Sequence, residues 1–166
     1  MMLFSLSLAI ALGKVAVGGT IAVIINRSKS IAEVGDGVTM TALGDVNVLA
    51  SSEENMLHVL ASASGSKDTA VAGALSVLVT LSETKAIFGG SGSIQAGGSI
   101  HVTAYGYSKI ILVAVALSVS SKVAVGATIA VNVFDRDVLA SVGAASVLRA
   151  LGGSVTVSAY GEDYFL

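Results

Sequence analysis

Cysteine, proline and tryptophan are absent from the 166 residues, and only 12% of them are charged and 5% aromatic. Without cysteine there is no disulfide framework, and a hydrophobic share of 54% excludes a disordered chain. The missing cysteine suits a reducing cytosol and a disulfide-free secreted protein equally, so it does not decide the compartment. Charged residues make up about a quarter of an ordinary domain. With that share halved, Val, Ala, Leu, Ile, Gly and Ser must do the folding, a mixture that favours tightly stacked β-structure. Nine Lys or Arg against eleven Asp or Glu leave a net charge of −2. That excludes the basic field that a phosphate backbone requires, and no nucleic-acid partner is expected.

Long apolar runs are also missing. A spanning helix needs about 18 consecutive apolar residues, whereas Lys14 and Arg27, Lys109 and Lys122, and Lys122 and Asp135 each bracket only twelve. A transmembrane barrel needs one apolar and one polar strand face with aromatic girdles. The strongest strands here are apolar at both sets of alternate positions, so no membrane-spanning segment is expected.

What the chain does have is a repeat. VAVGGTIAV at Val15–Val23 returns as VAVGATIAV at Val123–Val131, differing only at Gly19 against Ala127, with an offset of 108, twice 54. A middle copy, Gly73-Ala74-Leu75-Ser76-Val77, sits near half that offset if one deletion is allowed. Ala32, Ala86 and Ala140 align, as do Gly35, Gly89 and Gly143. Each unit then closes on a V-x-V segment after glycine: Leu43–Val48, Gly97–Val102 and Gly152–Val157. The repeats run approximately over 1–55, 56–109 and 110–166.

Within Val123–Val131, β-branched residues recur mostly at every second position, the period of a strand and not of a helix. The in-register glycines suit corners where φ is positive or backbones approach closely. Units that bury their faces only by stacking on neighbours make a solenoid. The expected fold is all-β, a parallel β-helix or β-solenoid of three repeats of about 54 residues. Each repeat would hold two coils of about 27 residues or three of about 18, in a stack about 30 to 45 Å long. Stacked hairpins or a β-sandwich are the alternative, with Ser121-Lys122 as the reversing corner. Val15, Val17, Ile21, Val23, Val77, Val123, Val125, Ile129 and Val131 are expected to face one packed core, with Ala and Gly on the other side.

Leu3, Phe4, Leu6, Leu8, Ile10 and Leu12 form an apolar run with the look of a signal peptide. Lys14 aligns with Lys122, however, which places Phe4–Gly13 on Leu112–Ser121, an internal strand. Gly161 matches Gly106 and puts Phe165-Leu166 on Ile110-Ile111. Both ends fall within the pattern without polar caps, so the expectation is a single β-solenoid segment from a longer repeat protein, prone to end-to-end self-association.

The succession of VAVGATIAVN at Val123–Asn132, the A-x-V-G segment at Ala140–Gly143 and GGSVTVSA at Gly152–Ala159 resembles the repeat region of large bacterial surface and filamentous adhesins, the leukotoxin-type filamentous adhesins among them. The resemblance covers essentially the whole chain in three copies. It implies a β-solenoid stalk, export across the bacterial envelope, and an adhesive or spacer role at the cell surface. The implied partners are neighbouring repeats of the parent chain and a receptor or glycan on a host or neighbouring cell. The shared motifs are packing motifs and bring no active site with them.

Parallel β-helices also serve as polysaccharide lyases and glycosidases, which makes such an enzyme the alternative function. Its chemistry needs grouped carboxylates, about 5 to 9.5 Å apart for glycoside hydrolysis. The best pair is Asp135 with Asp137, on one side of an extended strand. Their counterparts, Arg27 and Lys29 in the first unit and Leu81 and Glu83 in the second, read as a solvated, variable face. Gly89-Gly90-Ser91-Gly92-Ser93 begins like a calcium-binding β-roll but offers Ile94 where the carboxylate is required. His58 and His101 occupy different repeat positions without a nearby second ligand and read as surface or strand-face residues. Asn26-Arg27-Ser28 fits a glycosylation sequon, a three-residue match of little weight. No catalytic, cofactor-binding or metal-binding residue is assigned, and neither an enzymatic activity nor a cofactor is expected.

Overall fold

The computed structural model describes residues 2–166, and every regular element among them is a strand. In chain order these are β1 Met2–Ile10, β2 Val15–Val34, β3 Val38–Ala42, β4 Val46–Gly65, β5 Thr69–Phe88, β6 Ser91–Ala96, β7 Ile100–Val119, β8 Val123–Val142, β9 Ala145–Ala150 and β10 Val155–Phe165. They form three sheets: A in the order β1-β4-β7-β10, B in the order β2-β5-β8, and C in the order β3-β6-β9. All pairs are parallel. Each strand pairs with the third one after it, the path of a parallel β-solenoid.

The coil is larger than expected. Val15 lies beside Thr69 and Thr69 beside Val123, so one coil consumes a whole 54-residue repeat, neither half nor a third of it. The cause is strand length: two strands of 20 residues alternate with one of five or six, and 20 residues reach about 66 Å. Four stacked strands at about 4.8 Å rise only about 15 Å, so the molecule is a flat slab and not a 30 to 45 Å column. The middle copy needs no deletion, because Gly73 stands between Gly19 and Ala127. Phe4 falls in line with Val59 and Val113, one residue from the expected Leu112. The first turn from sheet A to sheet B, residues 11–14, is one residue longer than the next, residues 66–68. Ser121-Lys122 does lie at such a turn, but the chain there passes from one sheet to the other and makes no hairpin. At the other end Phe165 pairs with Ile110 as the repeat predicts.

The corners next to sheet C stack the aligned glycines. Gly98 N donates to Gly44 O at 3.1 Å. A Cβ on Gly153 would stand 2.2 Å from Ser99 Oγ, and one on Gly143 would stand 2.4 Å from Gly89 O. Close approach accounts for these positions, whereas a positive φ, 71°, occurs only at Gly37 among the described residues. Asp45 Oδ1 accepts from Ser99 N of the next coil at 2.7 Å, which ties successive corners together.

In cross-section each coil is a wedge. Sheet C holds A and B apart at one end, which we term the base. Turns of three or four residues bring them together at the other end, the tip. The interior is graded to match. At the base Phe88, Ile94 and Ile100 are fully buried with Val46, followed by Val48, Val102 and Ala86, then Met56, Leu78 and Ile110. Toward the tip the inward residues shrink to Ala16, Gly18, Thr20, Ala22, Ala70, Ala72 and Ala74 on sheet B. A Cβ on Gly126 would already stand 2.9 Å from the Ala116 carbonyl oxygen, which shows how closely the two backbones approach.

This reverses the expected facing. The small residues are inside, and Val15, Val17, Ile21, Val23, Val123, Val125, Ile129 and Val131 are exposed on the outer face of sheet B, with half-buried Val77 among them. Ile21 is 75% exposed while Ala72, opposite in parity on the next strand, is fully buried. Large side chains have little room toward the narrow end of the wedge, where Leu60 is accommodated opposite Ala22 and Ala74.

Candidate functional site

The candidate carboxylates come together on the outer face of sheet B near the base. Arg27, Leu81 and Asp135 stand in one row across three strands, and Lys29, Glu83 and Asp137 in the next. The sequence alignment of these positions is thereby realised in space. Together with Ser28 and Ser82 they line an open depression of about 420 Å³. The second row is an ion-pair ladder: Lys29 Nζ lies 3.3 Å from Glu83, and Lys85 Nζ lies 2.7 Å from Glu83 and 2.9 Å from Asp137. Hydrogen bonds from Lys85 and then Lys29 hold the Glu83 carboxyl below the usual carboxylate range. Lys85 is raised in turn by Glu83 and Asp137. A glycosidase acid must keep its proton near neutrality, and Glu83 is shifted the other way.

Arg136, between the two aspartates in sequence, points inward as strand alternation requires. Its guanidinium pairs with Asp163 at 2.7 Å, donates to the Gly106 and Glu162 carbonyls and lies 5.1 Å from the centre of the Phe134 ring. Gly106 and Gly161 face it and leave room for its stem. The pair lies at the fourth strand of sheet A, with Arg136 buried and Asp163 about a third exposed.

His58 is not on the surface. It is fully buried between the sheets, with Nδ1 3.3 Å from Ser76 Oγ and Nε2 without a partner, and burial pushes its pKa down. His101 lies on the outer face of sheet A beside Asn47 and Thr156, so only this histidine fits a surface position. No group of three His, Cys, Asp or Glu side chains among the described residues is arranged to hold a metal. The Gly89–Ser93 segment is a corner and the start of β6: Gly90 N donates to Asp36 of the preceding coil, and Ile94 is sealed in the base core. Asn26 of the sequon shares the inward parity of Ala16 and Ala22.

The feature that sequence reasoning missed is the tip half of the coil, which forms a thin blade with apolar residues on both outer faces. On sheet A these are Phe4, Leu6 and Leu8 with Val113, Val115 and Leu117; on sheet B they are the Val and Ile residues described above. Inside, Thr20 Oγ1 on sheet B is bonded across the narrow gap to Ser7 Oγ at 2.6 Å and to the Ala61 carbonyl at 3.1 Å, while Ser64 and Ser118, neighbours on sheet A, bond each other at 3.3 Å. The tip carries Lys14, Lys67 and Lys122, the last paired to Asp68 at 2.9 Å, beside an exposed Leu12 in the first turn. A signal for this facing was present in the chain. Arg27, Lys29 and Glu33 share the odd parity of Val15 through Val23 on one unbroken strand, and charges of that parity mark it as outward. No helix among the described residues is long and apolar enough to cross a membrane. The chain matches no protein-family model, no curated protein and no solved structure.

Proposed function

We propose that the chain is a structural and adhesive β-solenoid stalk module of a secreted bacterial surface adhesin, extracellular and without catalysis. The observation that carries this reading is the in-register stacking of 54-residue coils, in which every strand is parallel and each sheet ends on an open strand edge. The resemblance of the repeat motifs to filamentous adhesins supplies the surface context. Neighbouring repeats are the first partners, and a receptor or glycan on an opposing cell is the second. Duplicating the repeat should lengthen the particle by about 5 Å per added coil in electron micrographs. Beads coated with the chain should bind cell layers without altering their glycans.

A fragment of a carbohydrate-active β-helix enzyme is the second reading, favoured by the one depression that collects Asp135, Asp137 and Glu83 with two cations. Release of new reducing or unsaturated sugar ends from a polysaccharide panel, abolished by Asp135→Asn or Asp137→Asn, would replace the adhesin reading with this one.

A further inference from the structure

We propose that the blade embeds in the hydrocarbon of an anionic phospholipid bilayer, with the solenoid axis in the membrane plane and the lysine tip at the far headgroups. The inference is independent of the adhesin reading, because it uses only the distribution of side chains along the coil.

Four observations converge on lipid. The apolar band is close to bilayer height: on the outer face of β8 it runs from Val123 to Val133, and on β7 from Ile111 to Val119, about 26 to 33 Å against a hydrocarbon core of about 30 Å. Both outer faces are apolar at the same level, and a bilayer covers both at once. The band is bounded as lipid-exposed strands are. On the base side stand Tyr105, Tyr107 and Tyr164 with Lys109 on sheet A, and the Lys29–Glu83–Lys85–Asp137 ladder on sheet B. At the tip, three lysines against Asp68 leave a positive end that complements anionic headgroups. Finally, the backbone groups between neighbouring blade strands are paired in the parallel ladders, and inside the blade Thr20 bonds Ser7 and Ser64 bonds Ser118, which is what hydrocarbon demands. The open blade edges, β1 and β7 on sheet A and β2 and β8 on sheet B, are closed when a further coil or a second copy continues the stack at each end. The band is built from strands, so the lack of a long apolar helix does not bear on it.

The test uses the 166-residue chain, diluted from mild detergent into phosphatidylcholine vesicles containing phosphatidylglycerol. It should float with the vesicles and stay there through alkaline carbonate and high salt. Ile129→Asp should cut flotation roughly tenfold or more, while Thr103→Asp, on the base half of sheet A, leaves it unchanged. Circular dichroism on each variant separates lost insertion from lost folding. As the chain has no cysteine, Val131→Cys and Thr103→Cys give unique sites for an environment-sensitive dye. A blue shift on vesicle addition is expected at Val131 and not at Thr103. Three results would overturn the proposal: protein stripped from vesicles by salt, equal dye shifts at both sites, or soluble oligomers that ignore vesicles and dissociate with Ile129→Asp. The last would assign the blade faces to contacts between copies.

Discussion

The base half and the blade half of each coil are made by the same strands, yet they obey opposite packing rules. At the base, Phe88, Ile94 and Ile100 are inside and the ion-pair ladder is outside, the arrangement of any water-soluble core. In the blade most inward positions are Ala, Gly, Ser or Thr, with Leu60 and His58 as fully buried exceptions on sheet A, and Val, Ile, Leu and Phe line the outside. Strand parity does not change between the two halves. What changes is the distance between the sheets, held open by sheet C at one end and closed by short turns at the other. Where the gap is wide, burial of large side chains drives packing; where it narrows, a large residue such as Leu60 fits only opposite Ala22 and Ala74, and most large ones face outward. Stability therefore resides in the base and surface chemistry in the blade.

The largest effect should come from emptying the base. Phe88→Ala removes a fully buried ring from the base cluster and should cost about 3–5 kcal/mol in chemical denaturation. Ile129→Ala in the blade should cost less than about 0.5 kcal/mol. The reverse order would dissolve the contrast. Next, overfilling the blade should hurt where overfilling an exposed face would not. Ala72→Leu at a fully buried inner position should destabilise by about 1–3 kcal/mol, and Gly73→Leu, its outward neighbour with open space around it, should be far milder.

A smaller, pH-dependent effect belongs to His58. Burial lowers its pKa from 6.5, so the folded state keeps it neutral while the unfolded chain protonates first as pH falls. Stability is complete above the unfolded value and is lost as pH drops from 6.5 toward the depressed folded value. Thermal midpoints at pH 7.5 and 5.5 should diverge, and His58→Leu should remove that part of the difference. The smallest effect is expected for Ile129→Asp in detergent, within about 0.5 kcal/mol of the parent, because the side chain is 60% exposed. A large loss there would return Ile129 to the interior.

Much of the architecture was legible in the residues. The 54-residue offset, the stacked Gly35, Gly89 and Gly143, the alignment of Asp135 with Arg27 and Asp137 with Lys29, and the seat of Gly161 on Gly106 all hold in three dimensions. The facing of VAVGATIAV was misjudged because alternation defines two sets of positions without saying which is inside. Carrying the parity of Arg27 and Lys29 back along β2 would have decided it. Dividing each repeat into two or three coils hid that continuity.

By itself the sequence determined the period, the parallel stacking and the glycine corners, since each of these is a matter of local backbone requirement repeated at one interval. The coil length and the inversion of the blade were decided only in the tertiary structure. They depend on the separation of two sheets, and that separation follows from a five-residue or six-residue strand at one end and a three-residue or four-residue turn at the other. The gap sets the volume available to a side chain, and volume, more than hydrophobicity, chooses which face of a strand is buried.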